Sequence, residues 1–264
     1  HPDTLRICIM SGSFVQRGEP AIFSKFDRAR WAILGGADIV IELPTLYSTG
    51  SAQLFGTGAI RMVKALAIDA LSFGSETADL ESLIDIAKRM DCESTQEQLR
   101  TYINEGMSYG AAFRKALHTE ILNTPNALLG LEYIRAGLAY NPKLEYIPIL
   151  RTSNHHEETI TDELPSGTAL RQLITSSGDL SSQCITSTGD LSSKCITSTG
   201  DLSSQLQSTI PSSIESDMTQ VIENGNYVNY NRYHDMVHSL SRRTTPKELK
   251  KFGGFNEGIE YLWA

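Results

Sequence analysis

The chain has few cysteines, no long apolar run and no recognisable signal peptide, and each absence excludes a class of protein. Its four cysteines, Cys8, Cys92, Cys184 and Cys195, show no metal-site spacing. We therefore expect a reduced, cytoplasmic setting. No apolar stretch approaches the roughly 18 residues that a membrane helix needs, so we expect no membrane partner.

Basic residues are also in short supply. The chain has 23 lysines and arginines against 31 acidic residues, and its formal net charge is −8. This balance argues against a protein that coats nucleic acid with a broadly basic surface, but it leaves room for one local basic face. The length of 264 residues, with 40% hydrophobic and 20% charged residues, is typical of a large α/β domain with a smaller appendage.

Apolar runs alternate with helical patterns along the first part of the chain. Runs with the character of buried strands alternate with stretches in which apolar residues recur at helical spacing. In order they are Leu5–Ile9, Ser24–Leu34, Asp38–Pro44, Ser51–Ala67 and Ile68–Phe73. Strand, loop and helix thus repeat, so we predict an α/β fold with a doubly wound parallel sheet of Rossmann-like type.

The loop after the first predicted strand, Met10–Pro20, is the first candidate ligand site. Ser11 and Gly12 are small residues directly after a strand, where backbone N–H groups can approach a ligand. The carboxyl ends of parallel strands are also where α/β sheets bind nucleotides. We therefore predict that Ser11 and Gly12 contact a nucleotide, although a Ser-Gly pair alone is equally typical of an ordinary polar loop.

Two further positions at strand ends have a chemical and a structural interpretation. Gly74, within Phe73–Glu76, would let the backbone lie against a nucleoside, whereas the plain alternative is a tight turn. Glu42 interrupts an apolar strand. It is either a functional carboxylate or the partner of a buried arginine, and the structural role is favoured.

The stretch Asn123–Tyr133 predicts the start of a long helix. Thr124 is a natural N-cap, and Pro125 suits the first helical position. Asn126 then lies in the first turn, where unpaired N–H groups and the helix dipole attract phosphate or carboxylate. The alternative is that Asn126 only assists capping. A different capping box, Ser94–Glu97, predicts the start of an earlier helix.

A fourth predicted strand, Leu144–Leu150, contains Pro148 and is therefore placed near a sheet edge. Arg151 follows at its end. The stretch Pro165–Arg171 then offers Ser166 as a helix cap, Thr168 as a hydroxyl in the first turn and Arg171 as a cation for phosphate, although a plain N-cap is the alternative.

The run His155–Glu158 is interpreted as a polar loop, because adjacent residues do not share a helix or strand face. We therefore predict no metal site in the chain itself.

Several of these strings together resemble the tRNA(Met) cytidine acetate ligases, which belong to the HIGH-type nucleotidyltransferase superfamily. The strings that carry the resemblance are Met10–Ile22, Phe73–Glu76, Asn123–Tyr133 and Pro165–Arg171. The resemblance implies that Gly74 and Asn126 contact the adenosine of ATP. It also implies that the phosphates lie against four residues, Arg151, Ser166, Thr168 and Arg171.

The resemblance also implies an activity. The full enzyme would activate acetate with ATP, accompanied by Mg²⁺, to acetyl-adenylate and would then acetylate N4 of the wobble cytidine in elongator tRNA(Met). Two alternatives from other classes stay open. One is a nucleotidyltransferase that adenylylates a small phosphorylated metabolite, and the other is a non-catalytic tRNA-binding remnant.

One family mark is missing. The His-x-Gly-His motif, expected before Leu5, is not found in this sequence. The chain is also shorter than the family pattern at both ends. Because histidines of that motif stabilise the phosphates during adenylate formation, we expect weak ATP binding without turnover. No catalytic residue is assigned.

The sequence predicts three parts: a nucleotide-binding α/β domain over 1–173, a linker over 174–210 and a partial helical domain over 211–264. In the last part, Thr245–Glu248 forms a capping box with a proline. The basic residues of this part cluster: Arg242, Arg243, Lys247, Lys250 and Lys251. An RNA contact and an ordinary solvated face are about equally good interpretations of this cluster.

The linker consists of a tandem repeat. The eleven residues from Ile174 recur almost unchanged from Ile185 and again from Ile196. A segment so rich in Ser, Thr and Gly can bury little apolar surface. We interpret it as a duplication in a surface linker rather than the start of a solenoid, because loop insertions have a small free-energy cost.

Deletion of residues 185–206, which removes two of the three copies, should therefore change the free energy of unfolding by less than about 1 kcal/mol. Chemical denaturation of the parent and deleted chains measures the difference. A substantially larger loss would show that the repeats pack against the rest of the protein.

Overall fold

The computed structural model describes residues 4–16, 18–151, 167, 170–171, 174–175, 210–249 and 251. The chain divides into two compact units, His1–Thr168 and Ala169–Ala264. Most of the repeat, residues 176–209, lies outside the described residues, so the predicted three-part division stays a prediction.

The first unit alternates strands and helices. Its strands are β1 (Ile7–Ser11), β2 (Ile39–Leu43), β3 (Ala70–Ser75) and β4 (Glu145–Leu150). Its helices are α1 (Lys25–Leu34), α2 (Thr45–Ser48), α3 (Ala52–Ala65), α4 (Leu80–Met90), α5 (Glu93–Asn104), α6 (Tyr109–Leu117) and α7 (Pro125–Tyr140), with a 3-10 turn at Ile121–Asn123. The described part of the second unit contains α8 (Ser212–Glu223), α9 (Tyr230–Arg243) and α10 (Pro246–Leu249).

The strands pair in parallel, as predicted for an α/β fold. β1 pairs with β2, and Ser11 lies opposite Leu43. β3 pairs with β4, and Gly74 lies opposite Ile149. Among the described residues the two pairs are separate two-stranded sheets. Since the strands of each pair are parallel, their carboxyl ends meet, and four of the predicted site residues, Ser11, Gly12, Gly74 and Arg151, lie at those ends.

Local signals set several helix starts. The side chains of Ser24 and Ser51 accept hydrogen bonds from the first turns of α1 and α3, as N-caps do. The capping box predicted at Ser94–Glu97 is wrong, because the backbone of Cys92 is extended and α5 already begins at Glu93. The box predicted at Thr245–Glu248 is present: Glu248 accepts from the backbone N of Thr245 at 3.0 Å.

Helix α7 lies at the centre of the first unit and packs against α3, α4 and β3. Leu131 and Ile134 are fully buried in the apolar core that this packing forms. A glycine permits the closest approach to the sheet: a Cβ on Gly130 would lie 2.6 Å from Cε2 of Phe73 in β3. The side of α7 is thereby held directly against the strand that ends at the candidate site.

A buried ionic cluster also holds α7. The carboxylate of Glu132 is 1% exposed and accepts a hydrogen bond from the Tyr109 hydroxyl at 3.1 Å. Arg135 lies 3.4 Å from Glu132 and 2.6 Å from Asp91. Burial raises the pKa of the Glu132 carboxyl, and the charge of Arg135 offsets only part of that rise.

Replacement of Gly130 by alanine should destabilise the protein by about 1–3 kcal/mol, because the added methyl group forces α7 away from Phe73. The control is Gly110→Ala in α6, where a Cβ would meet only Cδ2 of Leu128, at 3.9 Å. That change should be neutral or stabilising by up to about 1 kcal/mol, since alanine favours a helix over glycine. Denaturation midpoints compare the two. Equal effects would show that the contact with Phe73 does not limit the packing.

Candidate functional site

The end of the β3–β4 pair brings two predicted site residues together. The backbone N of Arg151 donates to the carbonyl oxygen of Ser75 at 2.9 Å and so continues the strand pairing. The side chain of Arg151 then lies over Gly74: its Cγ would be 3.5 Å, and its Nη1 3.9 Å, from a Cβ at that glycine. The arginine side chain thus packs over Gly74, at distances that would still be ordinary van der Waals contact if position 74 carried a Cβ.

The guanidinium of Arg151 has an unused donor. Its Nε is buried and has no hydrogen-bond partner in the described part of the chain. A buried N–H without an acceptor is unfavourable by roughly 1–3 kcal/mol, so such groups are rare unless a ligand supplies the acceptor. Phosphate and carboxylate oxygens are the acceptors that a guanidinium binds best. This donor makes the end of β3 and β4 a candidate anion site.

The start of α7 is joined to the end of β3 by a carboxylate. Glu76 accepts a hydrogen bond from Nδ2 of Asn126 at 2.7 Å and another from the backbone N of Ala127 at 2.8 Å. The first turn of α7 was predicted to attract phosphate or carboxylate, and the group it binds here is this internal carboxylate. Thr124 precedes the helix as predicted, but its hydroxyl donates to the Ile121 carbonyl at 3.2 Å.

Glu76 remains ionised near neutral pH. Burial by itself would raise the pKa of its carboxyl, but hydrogen bonds from Asn126 and from the backbone of Ala127 outweigh burial and lower the pKa below its ordinary value. Sequence reasoning missed this residue, although Glu76 ends the string Phe73–Glu76 from which Gly74 was chosen. A carboxylate directly after a predicted strand was the available signal.

The loop after β1 is held by a half-buried arginine. Arg28 of α1 donates from Nη1 to the carbonyl of Ser11 at 3.0 Å, from Nη2 to the carbonyl of Gly12 and from Nε to that of Phe23 at 3.2 Å. Burial lowers the pKa of this guanidinium, and the nearby charge of Glu42 raises it in part. All three guanidinium nitrogens of Arg28 therefore donate to backbone carbonyls.

Glu42 has an ion-pair partner, but that partner is a lysine and not the buried arginine favoured from the sequence. Its Oε2 lies 2.7 Å from Nζ of Lys25, and its Oε1 occupies the space that a Cβ on Gly12 would fill. A Cβ at position 12 would therefore require the end of the Glu42 side chain to move. Nucleotide contact by Ser11 and Gly12 stays a prediction.

The remaining predicted phosphate residues are described less completely. Ser166 and Thr168 lie outside the described residues, as does the run His155–Glu158. Arg171 is helical, and its carbonyl accepts from the Thr175 hydroxyl at 2.9 Å.

Among the described residues, no group of three or more His, Cys, Asp or Glu side chains is arranged to hold a metal ion. In that same part of the chain, no helix combines the length and apolarity needed to cross a bilayer.

The second unit has a basic surface on α9. Arg242 and Arg243 are exposed in its last turn, and Lys247 is exposed on the following helix. An open cavity of about 420 Å³ is lined by Asp235, His238, Ser239, Arg242 and Arg243. We call Arg242 and Arg243 of α9, together with Lys247 of α10, the α9 basic surface. Of the other two members of the predicted cluster, Lys251 is also exposed, and Lys250 lies outside the described residues.

The sequence of this chain is similar to those of known proteins. A tRNA(Met) cytidine acetate ligase from Fusobacterium nucleatum is 38% identical over 177 residues, which are 67% of this chain and 44% of that protein. Another, from Alkaliphilus metalliredigens, is 31% identical over 279 residues, which are 97% of this chain and 61% of that protein. This chain thus spans roughly half the length of these relatives.

Solved structures give the same fold. The apo crystal structure of Thermotoga maritima TmcAL superimposes with a TM-score of 0.82 at 25% identity, over 98% of this chain and 60% of that one. The same protein bound with alpha-thio ATP gives a TM-score of 0.77 at 25% identity, over 98% and 58%. The predicted α/β fold is confirmed. The model of the HIGH Nucleotidyl Transferase family matches residues 1–264, and the chain belongs to that family.

Proposed function

We propose that this chain is the ATP-binding part of a ligase that forms N4-acetylcytidine at the wobble position of elongator tRNA(Met). The observation that carries the proposal is the Arg151 side chain, which lies over Gly74 with an unpartnered, buried Nε. Support also comes from the relatives named tRNA(Met) cytidine acetate ligase and from the neighbour bound with alpha-thio ATP.

The reaction has two steps. An oxygen of acetate attacks the α-phosphorus of ATP, which forms acetyl-adenylate as the bond to pyrophosphate breaks. The N4 amino group of cytidine then attacks the acetyl carbon, loses a proton and releases AMP. Charge develops on pyrophosphate in the first step, and a guanidinium positioned beside the phosphates stabilises that charge.

The proposal gives the residues different roles. Gly74 and Asn126 lie beside the adenosine, and Ser11 and Gly12 contact the nucleotide from the end of β1. The phosphates are bound by four residues: Arg151, Ser166, Thr168 and Arg171. Mg²⁺ enters with ATP, since it is usually held largely by substrate phosphates. We place the activity in the cytoplasm, where the free thiols of Cys8 and Cys92 persist.

The 264-residue chain should bind ATP but lack acetate-dependent turnover, because its sequence has no His-x-Gly-His motif to stabilise the phosphates. Calorimetry with ATP measures binding, and acetate-dependent exchange of pyrophosphate into ATP measures the first step. Both are performed on this chain and on an upstream-extended version that carries the motif, and exchange is expected from the extended version alone.

Other outcomes favour other functions. Exchange that proceeds without acetate would favour a nucleotidyltransferase acting on a phosphorylated metabolite. Binding of tRNA without binding of ATP, by either version, would favour a tRNA-binding remnant. Comparable acetate-dependent exchange from both versions would show that the histidine motif is dispensable.

The α9 basic surface is the proposed contact for tRNA phosphates. Residues 230–249 contain four arginines and lysines and two acidic residues, although the chain as a whole has a net charge of −8. Each phosphate that such a residue neutralises releases counterions, which strengthens binding at low salt. The alternative, a purely structural role, is that Arg242 and Arg243 interact with the dipole at the C-terminus of α9.

The double change Arg242→Glu/Arg243→Glu should weaken tRNA binding by about tenfold or more at low salt and reduce its salt dependence. The control, Lys64→Glu/Lys143→Glu, alters the net charge equally at exposed positions of the first unit. A filter-binding titration at several salt concentrations compares them. An equal loss from both pairs would mean that total charge, and not this surface, governs binding.

A further inference from the structure

The contact between Glu76 and Asn126 fixes the direction of an amide. Nδ2 of Asn126 donates to one carboxylate oxygen of Glu76 at 2.7 Å, and the backbone N of Ala127 donates to the other at 2.8 Å. Both oxygens of the carboxylate are therefore engaged by donors on the first turn of α7. The side chain of Glu76 is thereby fixed relative to the helix that carries Asn126.

An ionised carboxylate only accepts hydrogen bonds. If the amide of Asn126 were rotated by half a turn, its Oδ1 would face a carboxylate oxygen, and two acceptors would repel each other. The amide nitrogen must therefore face Glu76, and Oδ1 must face away from it. In the described part of the chain no hydrogen bond to Oδ1 is present. Asn126 thus presents an unused acceptor at the candidate site.

We propose that Glu76 is a positioning residue, which turns Oδ1 of Asn126 toward the nucleotide base and thereby selects a purine with an amino group at position six. This inference rests on the proposed function, in which Asn126 lies beside the adenosine of ATP. Adenine carries a donor at position six, the N6 amino group, whereas hypoxanthine and guanine carry a carbonyl oxygen there. An acceptor aimed at that carbonyl would leave two acceptors facing each other without a proton between them.

Discrimination of this kind is strong when the protein group cannot reorient. A site built to hydrogen-bond one group of a ligand rejects an analogue that lacks it, because the site's own polar atom then stays unpaired. An asparagine without a fixed partner could rotate and donate Nδ2 to a carbonyl instead. Glu76 prevents that rotation, so the selectivity depends on a residue that does not touch the base.

The test compares ATP with ITP, which carries an oxo group in place of the amino group at position six and no amino group at position two. Calorimetry or competition with a fluorescent ATP analogue gives both dissociation constants for the parent chain. We expect ATP to bind at least about tenfold more tightly than ITP. In Glu76→Gln, the amide oxygen must accept from the backbone N of Ala127, so the amide nitrogen faces Asn126 and donates to its Oδ1. Nδ2 of Asn126 is then turned toward the base, and the preference for ATP should fall to one or reverse toward ITP.

The matched control is Asp79→Asn, in the same loop. Asp79 is also a carboxylate at a helix start, where it accepts from the backbone N of Ser82 at 3.2 Å and from its hydroxyl at 2.6 Å. This variant loses the same charge at another helix start, where asparagine can still serve as the N-cap, and it does not alter the partner of Asn126. It should keep the ATP preference of the parent chain.

A second variant covers the case in which Glu76→Gln does not fold, as judged by circular dichroism. Asn126→Ala leaves the bond between Glu76 and Ala127 in place but removes the acceptor, so its preference for ATP should also be lost. An unchanged ratio of ATP to ITP affinity in either folded variant would overturn the inference, as would a parent chain without preference. A parent chain that binds neither nucleotide would instead refute the proposed function, and the inference with it.

Discussion

The approach of α7 to β3 is the constraint on which the candidate site depends. Gly130 lets the helix lie against Phe73. The side chain of Glu76, the residue that follows β3, accepts two hydrogen bonds from the first turn of the same helix. These two contacts act at different points of α7 and together fix both its distance from the strand and the position of its start. Asn126 has a defined place only because both are made.

The proposed nucleotide site depends more on the register of its strands than on a cluster of basic side chains. Gly74 and Arg151 lie side by side because they lie at the ends of neighbouring parallel strands in a particular register. Near the other strand ends, Arg28 of α1 donates to carbonyls of Ser11 and Gly12, and Lys25 is paired with Glu42. Of these three basic side chains, Arg151 is the one with a buried donor left for a ligand.

Features that depend on neighbours along the chain were predictable from the sequence. The strands, the cap at Ser24 and the start of α7 at Pro125 follow from periodicity and turn chemistry within a few residues. The capping box predicted at Ser94–Glu97 was wrong because the same residue pattern can also occur inside a helix. The extended backbone of Cys92 ends the preceding turn, so α5 begins at Glu93. Propensity is a weak prior where a preceding turn sets the start.

Contacts between distant residues were not predictable in this way. Glu76 and Asn126 are 50 residues apart, and nothing near either residue indicates the other. Gly74 and Arg151 were each predicted at the end of a strand, but their contact with each other was not predicted. That the arginine lies over the glycine depends on strand register, which the apolar pattern of these two strands did not specify.

The two carboxylates that hold α7 respond to protons in opposite directions. Glu76 has a lowered pKa in the folded protein, so its contribution to stability is present above its unfolded pKa and is lost as pH falls through the folded one. Glu132 has a raised pKa, so its contribution is present below its unfolded pKa and is lost as pH rises through the folded one. Acidification from neutral pH therefore first relieves the burial of charge in the middle of α7, and it loosens the start of the helix only below the ordinary pKa of a glutamate. The attachment of this helix to the sheet is consequently strongest near that ordinary pKa and weakens on either side of it.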